Sequence, residues 1–187
     1  MKLRVIAAML LLAVSVSFAA CSDEGGEAKS TEKVTESAPA GTADSAEGTF
    51  GDLHAIVDGV KEYYGDTVEF IFTEDEYSDE VLMYTYGLMD DKFVNAVESY
   101  VLTECDGMSA DTFAIVTFKS GTDKAIVKEA ADIMETEYVE SLKSKLAAYN
   151  PEEFAASDGY KLSVYDDAVM MVISADNTDA IISAIGK

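Results

Sequence analysis

The sequence is poor in the residues on which most familiar enzyme and metal chemistry depends. Its 187 residues include two cysteines, two prolines, one histidine and no tryptophan. A zinc site made of the usual Cys and His ligands therefore cannot be assembled within one chain. A Ser-His-Asp triad would have to use His54 as its base, and no nucleophile elbow is present in the sequence. We interpret His54 as an exposed residue of the first helix, and we predict no catalytic residue and no metal site.

A hydrophobic run long enough to span a membrane is also missing. The N-terminus has basic residues at Lys2 and Arg4, an apolar stretch over residues 5–16 and two small residues, Ala19 and Ala20. These are the three parts of an export signal. The apolar stretch is shorter than the roughly 20 residues of a transmembrane helix. We therefore predict a signal peptide over residues 1–20.

The segment Phe18-Ala19-Ala20-Cys21 resembles the processing site of bacterial lipoproteins, with Phe18 where those proteins usually have Leu. The resemblance implies that Cys21 receives a thioether-linked diacylglycerol and becomes the new N-terminus. It also implies a lipid-anchored protein on the extracytoplasmic face of the cell membrane, with no cofactor other than this lipid. An ordinary secretory signal, in which Cys21 is incidental, is the alternative.

Basic residues are scarce, and this scarcity limits the partners. The chain has 36 acidic and 13 basic residues and a net charge of −23. Cleavage before Cys21 would remove Lys2 and Arg4, which leaves 11 lysines, no arginine and a net charge of −25. Nucleic acid binding requires cationic neutralisation of phosphates, so we exclude nucleic acid as a partner.

With Cys21 acylated, Cys105 has no partner for an intrachain disulfide. Two carboxylates, Glu104 and Asp106, flank it and would suppress its thiolate, so we interpret it as a small hydrophobic residue and not as a nucleophile. The folded part must then depend on its apolar core. A domain of about 135 residues can form such a core by removing roughly two-thirds of its surface from water.

Composition divides the mature chain into two parts. Residues 21–49 are rich in Ser, Thr, Gly, Ala, Glu and Lys and contain no aromatic residue before Phe50, which predicts a disordered acidic tether behind the lipidated cysteine. Apolar residues at helical spacing begin with Leu53. Residues 50–187 are therefore predicted to form one globular domain.

The domain is predicted to have an α+β fold. Its mainly antiparallel sheet has about four strands in two hairpins and is packed on one face by a long helix and a C-terminal helix, with an N-terminal helix before them. The strands are expected near residues 97–102, 112–118, 161–165 and 168–174, and residues 68–72 are a strand or a connector. The long helix is expected over residues 122–149, where Asn150-Pro151 would end it.

Several of these segments together resemble a known family. They are Tyr84-Thr85-Tyr86-Gly87, the stretch from Ser109 to Lys119, the long helix ending at Tyr149 and the hairpin running into Val169–Ser174. With the N-terminal processing site and the acidic tether, they resemble clostridial, Gram-positive lipoproteins that carry a C-terminal domain of unknown function, number 4358 in its series. The resemblance covers about Phe50 to Lys187. It implies location and domain extent, and it supplies no catalytic residue.

The remaining candidate for a binding site is an aromatic group formed by Tyr77, Tyr84 and Tyr86. Tyrosine combines apolar area with a hydroxyl and is enriched at interfaces, although half-buried packing is the alternative. The methionines, Met83 and Met89 among them, are interpreted as core residues. We expect a non-enzymatic domain of the cell envelope that binds an envelope protein or a small solute. A hydrolase that uses paired carboxylates, and a passive structural spacer or surface antigen, are the alternatives.

Overall fold

A five-stranded antiparallel sheet forms the centre of the fold. The computed structural model describes residues 49–104 and 109–186. The strands lie in the order β1-β2-β3-β5-β4. Their bounds are Glu69–Phe72 for β1, Val97–Glu104 for β2, Thr112–Phe118 for β3, Lys161–Val164 for β4 and Ala168–Ile173 for β5. Every residue of β3 and β5 is buried, as expected for short runs of apolar and β-branched residues in the middle of a sheet.

The two predicted hairpins are present. β2 pairs with β3, and β4 pairs with β5. In the second hairpin the Tyr165 N–H donates to the Ala168 carbonyl at 2.8 Å, which closes the turn around Asp166 and Asp167. β3 and β5 join the hairpins in antiparallel register. The α+β class with an antiparallel sheet is confirmed.

The expected number of strands, about four, is too low by one. Residues 69–72 form an edge strand, in which Ile71 lies opposite Leu102 of β2. Four residues are too short to show a strand periodicity of their own. Pairing with β2, a contact between segments distant in sequence, determines the conformation of this segment.

Helices cover both faces of the sheet, whereas coverage of one face was expected. Alternate side chains of β3 and β5 enter two different apolar clusters, with Val116 and Met171 in one and Ile115 and Met170 in the other. The first cluster is completed by the long helical region after β3, and the second by the first and last helices. A central strand with no polar face requires a cover on each side, and this feature of β3 and β5 was visible in the sequence.

Seven α-helices surround the sheet within the described residues. Their bounds are Leu53–Val60 for α1, Ser78–Glu80 for α2, Asp91–Ala96 for α3, Lys124–Ile133 for α4, Glu140–Tyr149 for α5, Pro151–Ser157 for α6 and Thr178–Ile185 for α7. The Asp52, Asp90 and Asp123 carboxylates accept backbone N–H groups at the starts of α1, α3 and α4. Such caps satisfy donors that have no partner within the helix.

Two helical segments depart from α-helical geometry. Residues Val81–Thr85, directly after α2, and Met134–Val139, between α4 and α5, have π-helical hydrogen bonding. The long helix expected over residues 122–149 is thus interrupted in its middle. Pro151 occupies the first turn of α6, where its missing N–H costs nothing, so it both ends one helix and begins another.

The chain enters the domain at the turn between β4 and β5. The Thr49 N–H donates to Asp167 Oδ2 at 3.1 Å, and the Thr49 hydroxyl donates to Oδ1 of the same carboxylate. Phe50 is buried and packs edge-on against Tyr165, with ring centroids 5.0 Å apart. The predicted signal peptide, Cys21, the predicted tether up to residue 48, and Cys105 all lie outside the described residues. In the part of the chain that is described, no helix has the length and apolar character needed to cross a membrane.

Candidate functional site

A cleft of about 390 Å³ lies beside the π-helical segment Met134–Val139, at the end of the sheet opposite Thr49. Strand register places it there, because β2 reaches the cleft at Thr103 and Glu104, whereas Thr117 at the other end pairs beside the Asp167 turn. Three parts of the chain supply the walls. The lining residues are Met83, Tyr84, Thr85, Gly87, Met89, Thr103, Glu104, Glu137, Tyr138, Ser141, Leu142 and Lys145.

Both π-helical segments contribute to the cleft. Met83, Tyr84 and Thr85 come from Val81–Thr85, and Glu137 and Tyr138 come from Met134–Val139. A π-helical turn shifts the side chains after it relative to an α-helix and is often found at functional sites. The coincidence of two such segments at one cleft marks it as the strongest candidate site among the described residues.

Gly87 allows the two walls to approach closely. Its φ is +82°, a left-handed conformation that favours glycine. A Cβ at this position would lie 2.9 Å from Glu137 Cβ and 3.0 Å from Ile133 Cγ2. Glycine is therefore required here both by the backbone conformation and by the neighbouring helix.

A stacked pair of tyrosines supports the cleft from inside. The rings of Tyr86 and Tyr138 are parallel within 1°, with centroids 4.5 Å apart. The Tyr86 hydroxyl donates to the Thr103 carbonyl at 2.9 Å, and the Tyr138 hydroxyl lies 2.8 Å from Thr112 Oγ1. These bonds connect both helical walls to the ends of β2 and β3, so the cleft rests on the rigid sheet.

The predicted tyrosines occupy three different environments. Tyr84 is 74% exposed and lines the cleft, whereas Tyr86 is fully buried behind it. Tyr77 is 65% exposed but lies outside the cleft, with its backbone in the left-handed region at φ +68°. The structure therefore does not bring the three into one surface.

The segment that carries Tyr77 is fixed to the sheet. The Tyr100 hydroxyl of β2 donates to Asp79 Oδ1 at 2.7 Å, and burial raises the pKa of Tyr100 to about 12. The Thr73 hydroxyl donates to the Tyr100 carbonyl at 3.1 Å. These contacts hold residues 73–77 and α2 in place and leave the Tyr77 ring in solvent.

Met83 and Met89 are the site residues that the sequence interpretation missed. It placed them in the core, but Met83 is half-buried and Met89 is 60% exposed, and both line the cleft. A thioether side chain is flexible and polarisable and adapts to irregular ligand surfaces. The close grouping of Met83, Tyr84 and Met89 around Gly87 was the signal that could have indicated a surface.

His54 is not among the residues that line the cleft. Its Nε2 is 2.7 Å from Glu74 Oε1, and its ring stacks on Phe72 at a centroid distance of 3.8 Å. A backbone hydrogen bond and the His54 contact lower the pKa of Glu74. Within the described residues, no Ser, Thr or Cys side chain is hydrogen-bonded to His54 or Glu74. Within residues 49–104 and 109–186, no group of three His, Cys, Asp or Glu side chains could hold a metal ion.

The cleft is amphipathic and carries charges of both signs. Glu104 and Glu137 supply carboxylates, Lys145 supplies an ammonium group, and Thr85 and Ser141 supply hydroxyls. Both glutamates are exposed. These groups can form ion pairs and hydrogen bonds with a small ligand, and the Met83, Tyr84 and Met89 side chains can form apolar contacts with it.

Comparison with known proteins gives one match. Residues 66–174 match the family described as Domain of unknown function (DUF4358). The matched region includes all five strands and every lining residue of the cleft, and it leaves out α1 and α7. Neither the curated proteins nor the solved structures include a match to this chain.

Proposed function

The chain belongs to the DUF4358 family, and we propose that its domain is a non-enzymatic binding module whose ligand occupies the cleft beside Tyr84. The observation that supports the proposal is the position of the cleft between two π-helical segments. Exposed aromatic and thioether side chains line it, and hydrogen bonds to the sheet fix its walls. A volume of about 390 Å³ is near the lower end of the range for small-molecule sites, roughly 300–1,000 Å³.

Tyr84 supplies the test of this proposal. Tyr84→Ala removes the largest exposed ring of the cleft and leaves the buried Tyr86–Tyr138 stack in place. We expect the small-molecule fraction of a cell-envelope extract to shift the methyl NMR signals of Met83 and Met89 in the ¹³C-methionine-labelled full chain, and Tyr84→Ala to abolish the shifts. Truncation of an aromatic binding residue costs about 2 kcal/mol or more, which is roughly thirtyfold in affinity.

Tyr77→Ala is the matched control, because Tyr77 is similarly exposed and lies outside the cleft. The methyl signals of the buried Met170 and Met171 should stay in place throughout. Equal shifts in the Tyr84→Ala chain, or shifts confined to Met170 and Met171, would show that the cleft is not the binding site.

We further propose that the protein is a bacterial lipoprotein, held at the extracytoplasmic face of the membrane by a diacylglycerol on Cys21. The support is the signal-like N-terminus with small residues before Cys21. A single acyl chain gives only marginal membrane binding, whereas two chains anchor a protein stably. The partners are then the membrane, through the lipid, and an envelope protein or small solute, through the cleft.

Membrane fractionation tests the anchor. We expect the wild-type chain to sediment with membranes and to enter the detergent phase, and Cys21→Ala to move it to the soluble fraction. Cys105→Ala is the control, since it removes the other thiol without affecting the proposed acylation site. A Cys21→Ala chain that still enters the detergent phase would exclude the lipid anchor.

A further inference from the structure

The charges of the cleft indicate the chemical class of its ligand. Eight lysines lie in the described residues, and five of them form ion pairs with carboxylates within 2.9 Å. The pairs are Lys61–Asp58, Lys92–Glu129, Lys124–Asp166, Lys128–Asp132 and Lys143–Asp158. A sixth, Lys119, donates to the Asn95 carbonyl at 2.7 Å. Carboxylates are abundant in this chain, so pairing is the normal state of its lysines.

Lys145 is an exception, and it lines the cleft. Within residues 49–104 and 109–186 its ammonium group has no carboxylate within 4.0 Å and no hydrogen bond, and the same holds for the ammonium group of Lys161 outside the cleft. Lys145 follows Glu137 and Ser141 at four-residue steps along the helical wall, and all three line the cleft. An ammonium group without an acidic partner at this position is available to a ligand carboxylate.

Two carboxylates of the cleft are equally available. Glu104 from the end of β2 and Glu137 from the π-helical wall have no basic side chain within 4.0 Å among the described residues. They enter from different elements of the fold. Together with Lys145, they give the cleft one positive and two negative groups, which repel a polyanion and favour a ligand that carries an ammonium group.

Beside the hydroxyls of Thr85 and Ser141, the uncharged lining has an apolar and adaptable part. Met83, Met89 and the Tyr84 ring provide thioether and aromatic surface between the charged groups, and the volume of about 390 Å³ limits the ligand to a small size. These side chains suit an aliphatic or aromatic substituent. These side chains do not require the ligand to carry a planar or phosphorylated group.

Building on the proposed binding function, we propose that the cleft binds a zwitterionic ligand of the amino-acid or short-peptide class with an apolar side chain. The ligand carboxylate binds Lys145, its ammonium group binds Glu104 or Glu137, and its side chain packs against Met83, Tyr84 and Met89. The two glutamates of the cleft and the net negative charge of the chain disfavour ligands that carry only negative charge.

Four probes with the same side chain separate the contributions of charge. They are the dipeptide L-leucyl-L-leucine, which carries both charges, and its blocked derivatives, namely L-leucyl-L-leucinamide, a cation, N-acetyl-L-leucyl-L-leucine, an anion, and neutral N-acetyl-L-leucyl-L-leucinamide. Each is titrated into the ¹³C-methionine-labelled full chain, and the Met83 and Met89 methyl signals report binding. We expect saturable shifts with the dipeptide, weaker binding of the cation, and still weaker binding of the other two.

Variants of the charged residues test the assigned contacts. Lys145→Met and Glu137→Gln should each weaken binding of the dipeptide about two- to fivefold, the range of a solvent-exposed ion pair. Lys161→Met is the matched control, because among the described residues it removes the other lysine whose ammonium group has no partner, and it leaves the cleft intact. It should leave the affinity unchanged.

The inference is overturned if the neutral probe binds as tightly as the dipeptide, if Lys161→Met weakens binding as much as Lys145→Met, or if the dipeptide leaves the Met83 and Met89 signals in place. The binding function itself is tested by the envelope extract. An extract that shifts these signals in a Tyr84-dependent way, beside a dipeptide that does not, would retain the binding function and exclude this ligand class.

Discussion

At the scale of single residues, Asp111 shows how strongly burial acts on one carboxyl in an acidic protein. It is half-buried at the start of β3, and burial and the neighbouring Glu153 raise its pKa above the ordinary value of 3.8. Hydrogen bonds from Ser109, Ser174 and the Ala175 backbone act in the opposite direction, but they are the smaller contributions. The charged form of Asp111 is therefore less favourable in the folded chain than in the unfolded one.

This shift has a definite sign in the dependence of stability on pH. Because the pKa of Asp111 is higher in the folded chain, this carboxyl contributes to the free energy of unfolding at low pH. The contribution is fully present below the ordinary pKa of 3.8 and is lost as pH rises through the folded-state pKa. We expect Asp111→Asn to raise the free energy of unfolding at pH 7, because the amide keeps an acceptor and removes the desolvated charge. The gain should disappear near pH 3, where the wild-type carboxyl is protonated in both states.

Urea unfolding at the two pH values measures the effect. Asp176→Asn is the control, since Asp176 is exposed and the substitution changes the net charge by the same amount. A destabilised Asp111→Asn chain at pH 7 would mean that the carboxylate hydrogen bonds outweigh burial.

At the scale of elements, the contact between the Gly87 turn and the π-helical segment Met134–Val139 determines the width of the cleft. We expect Gly87→Ala to lower the free energy of unfolding by roughly 2–5 kcal/mol. About 1–2 kcal/mol comes from the left-handed backbone and about 1–3 kcal/mol from overpacking against Glu137 and Ile133. The displaced wall should also weaken binding in the cleft.

Gly121→Ala separates the two contributions. Gly121 has φ +86° but no atom within 4 Å of an added Cβ, so its substitution should cost only the backbone part, about 1–2 kcal/mol. Chemical denaturation of both variants gives the comparison. Equal losses at the two positions would show that the helix at Glu137 yields to the extra methyl group without cost.

The elements also show which structural features can be predicted from sequence. The strands β3 and β5 have continuous apolar, β-branched runs that allow few other conformations, and α1 and α7 have apolar residues at helical spacing. β1 was ambiguous because pairing with β2 determines its conformation. The interruption at Met134–Val139 was not predictable, because its side chains keep the spacing of a regular helix.

The cleft could be predicted only in part for the same reason. Its walls come from residues 83–89, 103–104 and 137–145, which only the fold brings together. Tyr84 was identifiable from its residue type. Glu137 and Lys145 were not, because one helix surface carries many similar charges and only the structure shows which of them have no partner.

At the scale of the whole molecule, the excess of carboxylates opposes folding. The chain has 36 acidic and 13 basic residues, and the lysine ion pairs are mostly exposed, so each adds little to stability. Salt screens the attractive pairs and the repulsion between carboxylates alike. Because repulsive pairs outnumber attractive ones, the repulsive part should dominate the response.

We therefore expect the melting temperature of the full chain to rise with NaCl as the Debye length falls from about 10 Å at 0.1 M to about 3 Å at 1 M. Glu76→Lys tests the cause, because Glu76 is exposed and lies between other carboxylates in the Glu74–Glu80 stretch. This variant should melt at a higher temperature than wild type in low salt and should gain less from added NaCl. Glu76→Gln, with half the charge change, should fall between the two. A melting temperature that falls with NaCl would mean that the lysine pairs, few as they are, outweigh the repulsion and hold the acidic surface together.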